Sequence, residues 1–179
     1  MHSSVHEFFE NNVDGNIFKN AKVIEVGSLD VNGSVRERVM SFNPKSYVGI
    51  DFVDGEGVDK LMNAEDLAKE FGKASFDVVI STEMLEHAEN WRECVQNMKD
   101  IAKDWIIITT RGIGFPTHAY PDDFWRYTND DIKKIFADCE LVANIPDPEA
   151  PGVFVIARKK KGKRTDLSKI EVYSQKEGR

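Results

Sequence analysis

Glu25, Gly27 and Asp51 are the residues whose types and spacing most directly suggest chemistry. Gly27 ends the apolar run Lys22-Val23-Ile24-Glu25-Val26 and is followed by Ser28. A glycine there carries no Cβ, so a ligand can approach the backbone closely. The N–H groups of the helical pattern that opens at Gly33-Ser34 offer donors and positive dipole to an anionic group. Asp51 closes a second apolar run, Tyr47-Val48-Gly49-Ile50, and a carboxylate at that strand tip can accept both hydroxyl hydrogens of a ribose. Together they point to a nucleotide-like ligand. Two of the four histidines, His87 and His118, follow later apolar runs and have a ring pKa suited to a general base.

Positioning such residues requires strand tips side by side, and the chain alternates strand and helix nearly throughout. A leading helix lies within residues 5–20, covering an edge or the ligand mouth. Val35, Val39 and Phe42 recur at helical spacing, Asn63 and Asp66 open a helix carrying Leu67, Ala68 and Phe71, and Phe76 to Thr82 is a buried strand. Asn90 with Glu93 caps the clearest helix, in which Trp91, Cys94, Val95, Met98, Ile101, Ala102 and Trp105 form a core stripe. Trp105 to Thr110 is the next strand, and Thr128 with Asp131 makes a capping box for a helix that turns Ile132, Ile135 and Phe136 inward. Cys139 to Ala143 and Val153 to Ala157 are the last strands, joined through the Pro146 to Pro151 loop as an antiparallel hairpin at one edge. The expected fold is α/β, a doubly wound, mostly parallel seven-stranded sheet with an antiparallel edge strand and helices on both faces.

The composition fits one domain. The 179 residues are 41% hydrophobic and 31% charged, ordinary for a globular chain with a real core. No apolar run approaches the roughly 20 residues that span a bilayer, and the first residues have neither a basic nor an apolar leader pattern, so a cytoplasmic location is expected. Cys94 and Cys139 have no second cysteine or histidine at ligand spacing and read as buried, reduced thiols. A net charge of −7 argues against the body as a general nucleic-acid binder. The exception is Arg158 to Arg164, a basic run that divides a domain of residues 1–158 from a solvated basic tail of residues 159–179.

With these tips laid out, the chain resembles class I S-adenosylmethionine-dependent methyltransferases, and among them the small type-11-like group with a Leu-Glu-His turn after the fourth strand. The similarity covers roughly residues 20–158. Glu25-Val26-Gly27 resembles the acid-x-glycine of the first motif, Gly49-Ile50-Asp51 the ribose-binding second strand, Asn63-Ala64-Glu65 the adenine flank, and Phe76 to His87 the fourth-strand motif. The resemblance implies S-adenosylmethionine as cofactor, with Gly27 and Ser28 passing its methionine part and Glu25 near its amino group. Asp51 would take the ribose, Phe52 and Ala64 would edge the adenine beside Asn63, Glu65 would accept from the adenine amino group, and Thr82 with Glu83 would border the sulfonium. A dinucleotide fingerprint, by contrast, needs glycine at positions 29 and 32, which hold Leu29 and Asn32.

Methyl transfer from a sulfonium is an in-line displacement that alignment and desolvation can accelerate without a dedicated catalytic residue. The long loop from Arg111 to Tyr127 resembles the segment that lies over the acceptor side in the same group. Phe115, Tyr120 and Trp125 would shape the acceptor pocket, His118 is the candidate base, and Asp123 with Arg126 would hold the loop. His87 reads as a helix-start residue bonded to backbone. Asp122 and Asp123 have no third acid or Asn converging on them, and no metal is expected. The acceptor is expected to be a small molecule. The alternatives are RNA or protein bound through the basic run, or a cofactor-binding protein without catalysis.

Overall fold

The strands form where β-branched and other apolar residues run together, and in the computed structural model, which describes residues 2–118 and 122–178, seven of them share one sheet. In chain order the elements are α1 (Ser3–Asn11), β1 (Lys22–Val26), α2 (Arg36–Met40), β2 (Ser46–Asp51), β3 (Lys60–Leu61), α3 (Leu67–Phe71), β4 (Phe76–Thr82), α4 (Trp91–Ile101), β5 (Ala102–Arg111), β6 (Trp125–Arg126), α5 (Asn129–Ile135), β7 (Cys139–Pro146), β8 (Gly152–Lys159) and β9 (Tyr173–Ser174). The sheet order is β3-β2-β1-β4-β5-β8-β7. β1 to β5 are parallel, whereas β8 runs antiparallel to both β5 and β7. The expected hairpin is therefore present at one edge, and the reversed strand is β8, one place in, with β7 outermost.

Alternation along each strand divides the core between two faces. Ile24 and Val26 of β1, Val79 of β4, and Ile106 and Ile108 of β5 pack with Leu67, Trp91, Val95, Met98 and Ile132 on the face of α3, α4 and α5. Val23, Val78, Ile80 and Ile107 point the other way, onto Val5, Phe8, Phe9, Val35 and Val39 of α1 and the α2 region. Central strands buried on both faces are what a parallel sheet requires.

Local signals account for some element ends. Thr128 and Asp131 make the reciprocal capping box of α5. Asn63 Oδ1 accepts from the Glu65 N–H at 3.0 Å, opening a 3₁₀ turn that leads into α3. Asn90 behaves differently: its side chain makes no cap hydrogen bond and instead donates to Glu65 Oε1 at 3.0 Å. The stripe expected to reach Trp105 also stops earlier, because α4 ends at Ile101 and Ala102 already begins β5.

Past the last large strand, Lys160, Lys161, Lys163 and Arg164 are exposed. The chain then returns to the body. Leu167 and Ile170 are buried in the main core, their carbonyls accept from the Arg92 guanidinium, and β9 pairs antiparallel with β6.

Candidate functional site

Parallel strands bring their carboxyl ends to one edge of the sheet, and there the crevice of an open α/β fold is found. Gly27 follows β1, Asp51 ends β2 and Thr82 ends β4. All three border two adjoining cavities or the wall between them, of about 210 and 240 Å³. The first is lined by Glu25, Gly27, Ser28, Asp51, Phe52, Thr82, Glu83 and His118, among others. The second is lined by Asn63, Ala64, Glu65, Glu89, Asp122 and Phe124, together with Gly27, Asp51 and Phe52.

The turn after β1 is pinned from β2: the N–H groups of Gly27 and Ser28 both donate to the Ile50 carbonyl, at 2.9 and 3.0 Å. Gly27 has φ +79°, a conformation that favours glycine, and a Cβ there would run into the Met84 side chain. The space beside this glycine is thus filled by Met84, which lines both cavities and stands between them. Nothing in the local sequence marked Met84, because its role comes from the backbone turn after β4.

Asp51 is half-buried, with Oδ1 accepting from the Val53 N–H at 3.0 Å and Oδ2 from the Leu29 N–H at 3.3 Å. Each carboxylate oxygen keeps a lone pair for a ligand. Ser28 Oγ is buried on the cavity wall and has no hydrogen-bond partner, a polar group in want of one. Glu25 is 2% exposed, accepts from the Tyr47 hydroxyl and lies 3.5 Å from Thr82 Oγ1. Burial pushes its carboxyl up from 4.5 to about 7, against the lowering effects of Tyr47 and Arg36.

A second polar cluster closes the far side. Glu83, at φ +54°, turns its carboxylate to the fully buried Arg111, whose NH1 also donates to Asp147 Oδ2 at 3.0 Å. Burial, with Glu86 adding to it, pushes Glu83 up to about 7 although Arg111 opposes the shift. Glu86 is completely buried. One of its oxygens accepts from Thr110 Oγ1 at 2.8 Å and the other, Oε1, has no hydrogen-bond partner.

The long loop is held by Arg126, whose guanidinium grips Asp123 in a buried bidentate pair and donates to the carbonyls of Phe115 and Pro116. Asp123 Oδ2 also accepts from the His118 N–H at 2.8 Å. His118 lines the first cavity, with its ring edge-on to those of His87, at 4.8 Å between centroids, and Phe115, at 5.1 Å. Burial and the neighbouring His87 lower its pKa, against the attraction of Asp123. His87 lines both cavities, and its Nδ1 meets the Asp122 carbonyl, a backbone contact of the kind expected for it.

The aromatic residues of the loop separate. Phe115 packs among Arg111, His2 and His118 beside the first cavity. Trp125 was expected on the acceptor pocket, but its Nε1 donates to the carbonyls of Ala88 and Glu89, at 2.9 and 3.2 Å, and its ring packs against the main core. Adjacent extended residues face opposite ways, and it is Phe124 that lines the second cavity. Tyr120 lies outside the described residues. Asp122 and Asp123 do not converge as a metal pair, since Asp123 is committed to Arg126. Glu86, His87 and His118 do converge, each offering a ligand atom within 4.8 Å of the others.

Comparison with known proteins agrees with this arrangement. No curated protein matches the chain. Among solved structures it is similar to a SAM-dependent methyltransferase of Aquifex aeolicus, at 10% identity and TM-score 0.62 over 88% of this chain and 90% of that one. An S-adenosylmethionine-dependent methyltransferase of Mesorhizobium loti superposes at 11% identity and TM-score 0.62, covering 88% and 98%. The magnesium protoporphyrin IX methyltransferase of Synechocystis PCC 6803 with bound SAM does so at 16% identity and TM-score 0.58, covering 88% and 76%. At these identities the likeness is one of fold. A family model described as a methyltransferase domain matches residues 16–105, half of the chain, and the chain belongs to that methyltransferase family.

Proposed function

We propose that the protein transfers a methyl group from S-adenosylmethionine to a small-molecule acceptor. The observation that carries this is the donor set around the first cavity: Glu25, Ser28 and Asp51 present two carboxylates and an unpartnered hydroxyl at adjoining strand ends. These suit an ammonium, a polar carboxylate edge and a ribose diol, respectively. A diphosphate would meet carboxylates where it needs donors, so a dinucleotide fits poorly. Phe52, with Asn63, Ala64 and Glu65 across the second cavity, supplies a flat apolar edge and one acceptor for an adenine.

When bound, the sulfonium supplies an electrophilic methyl carbon and a neutral thioether leaving group. The residues then orient and desolvate. Thr82 and Glu83 line the first cavity beside Met84, which lines both, and the described part of the loop after β5 stands on the acceptor side. Its His118, with a lowered pKa, is available as a neutral base for an acceptor that must lose a proton.

Calorimetric titration with S-adenosylmethionine and its demethylated product tests the donor site. Binding of both, weakened at least tenfold by Asp51→Ala, is expected. A well-folded protein that binds neither would remove the proposal. A second reading, a macromolecular acceptor, is favoured by the exposed cations Lys160, Lys161, Lys163 and Arg164. It requires that acceptor use fall with salt and that neutralising these four residues abolish that dependence.

A further inference from the structure

We propose that Glu86, His87 and His118 form a binding site for a divalent first-row transition ion at the mouth of the donor cavity. A carboxylate oxygen and one nitrogen from each imidazole lie within 4.8 Å of one another. Two histidines and one carboxylate are a donor set that suits zinc, iron, cobalt or manganese and leaves further coordination positions open. At metal–ligand bonds of about 2.0–2.1 Å the ligand atoms of a tetrahedral site stand about 3.4 Å apart. The three side chains would close by roughly 1 Å, a movement that imidazole rotation supplies.

Two independent features point to a ligand here. Glu86 is completely buried, yet its Oε1 has no hydrogen-bond partner and lies 4.0 Å from His87 Nε2. A buried carboxylate oxygen left without a donor is costly unless something positive meets it. The supporting contacts are also those of a metal site. His87 Nδ1 meets the Asp122 carbonyl, which leaves the Nε2 lone pair on the side of Glu86. His118 is tethered through its backbone, whose N–H donates to Asp123 Oδ2 at 2.8 Å, and Asp123 is fixed by Arg126, while the buried His118 Nδ1 has no hydrogen-bond partner. Glu86 is oriented by Thr110 through its other oxygen. Such outer contacts set the tautomer of His87 and the direction of Glu86, as they do for metal ligands.

The ligands come from two elements. Glu86 and His87 stand on the 3₁₀ turn after β4, and His118 comes from the loop after β5. The ion would clip this loop over the cavity that both histidines line. With the ion bound His118 is a ligand rather than a base, and an acceptor would be activated at the ion's remaining positions instead. That last use rests on the methyl-transfer reading, whereas the site itself does not.

The test is cobalt titration of chelator-treated protein, followed by visible absorption. One equivalent of Co²⁺ should give the bands of a four- or five-coordinate site, displaced by Zn²⁺. The binding should weaken at least a hundredfold in His118→Ala, whose side chain is partly exposed and whose removal leaves the core intact, and also in Glu86→Gln. His6→Ala is the control and should leave the bands unchanged. Absence of a stoichiometric cobalt spectrum, or one that survives His118→Ala in a folded protein, would overturn the site. Titrating S-adenosylmethionine into the same metal-free protein separates the two readings, because donor binding without cobalt binding removes the ion alone.

Discussion

Glu25 shows how burial at a strand end shifts the titration of one carboxyl. Its carboxyl is raised from 4.5 to about 7 by desolvation, so between those values the folded chain holds a proton that the unfolded chain has released. A raised acid stabilises fully below the unfolded value and loses that contribution as pH climbs through the folded one. In the absence of donor, stability should therefore fall by roughly 3 kcal/mol between about pH 4.5 and pH 7 on account of this residue, and Glu25→Gln should flatten that part of the profile in denaturant melts. Donor binding should show the opposite trend. An ammonium placed against Glu25 favours the ionised form, so affinity measured by calorimetry should rise several-fold between about pH 6 and pH 7.5 in the wild type and stay level in the Gln variant. A level wild-type profile would mean that the ammonium lies elsewhere. Met84 illustrates what a sequence conceals at this level. Glu25, Gly27 and Asp51 were legible because strand ends and glycine turns have local signatures. Met84 was not, because its place against Gly27 depends on how the turn after β4 crosses the tip of β1.

The glycine turn and the long loop depend on close packing between elements, and each has a weak point that a single change exposes. Gly49 lies in β2 with the Gly57 carbonyl and the Ser28 side chain where a Cβ would stand, the Ser28 Oγ being 2.7 Å from that position. Its N–H donates to Asp59 Oδ2 at 2.6 Å, and Asp59 in turn binds Arg36 of α2 at 2.9 Å. Gly49→Ala must therefore push apart the β1 turn and the loop at Gly57. A loss of about 2–3 kcal/mol in stability is expected from such overpacking, with donor affinity falling more than tenfold because Ser28 and Asp51 move together. Unchanged affinity in the folded variant would show that the turn tolerates displacement. In the long loop, Arg126 is fully buried and its charge is answered by Asp123. Asp123→Ala leaves an unpaired buried guanidinium and should cost about 3–5 kcal/mol in urea melts. Asp123→Ala combined with Arg126→Met should recover much of this. The sheet, the α5 capping box and the Asp123–Arg126 pair could be read from sequence because they rest on periodicity or on partners three residues apart. The Asn90 cap failed because Glu65, a residue 25 positions away, competes for its side chain. Likewise β6 gives no strand signal, since its partner β9 lies near the other end of the described chain.

Both ends of the described chain converge on the loop after β5, and the C-terminal segment packs there although the basic run before it is exposed. At one end, His2 packs edge-on against Phe115, and the Ser3 hydroxyl and Ser4 N–H donate to Glu149 beside the β7–β8 hairpin. At the other, β9 pairs with β6, the Gln175 N–H donates to the Phe124 carbonyl at 2.7 Å, and Gln175 Nε2 donates to Thr117 Oγ1 at 2.6 Å. Thr117 and Phe124 flank His118 and the Asp123–Arg126 pair, so residues 173–175 tie down these two described stretches of the loop. A truncation after Asp166 removes this clamp along with the buried Leu167 and Ile170. Burying two such side chains contributes about 1.5–3 kcal/mol each, so the thermal midpoint should drop by several degrees. Glu25, Ser28 and Asp51, the residues proposed to hold the donor, lie at or just past the ends of β1 and β2, and the hydrogen bonds of the two carboxylates go to residues outside the removed segment. Donor affinity should consequently stay within twofold of wild type, while fluorescence of Trp125, the partner of Ser174 across β6 and β9, shifts to the red and limited proteolysis cuts the Gly112–Tyr127 loop faster. Neutralising Lys160, Lys161, Lys163 and Arg164 without truncation should change none of these readouts, which separates the clamp from the charge. If instead the truncated protein kept its melting point and its resistance to cleavage, the loop would be held by Arg126 and Asp123 alone.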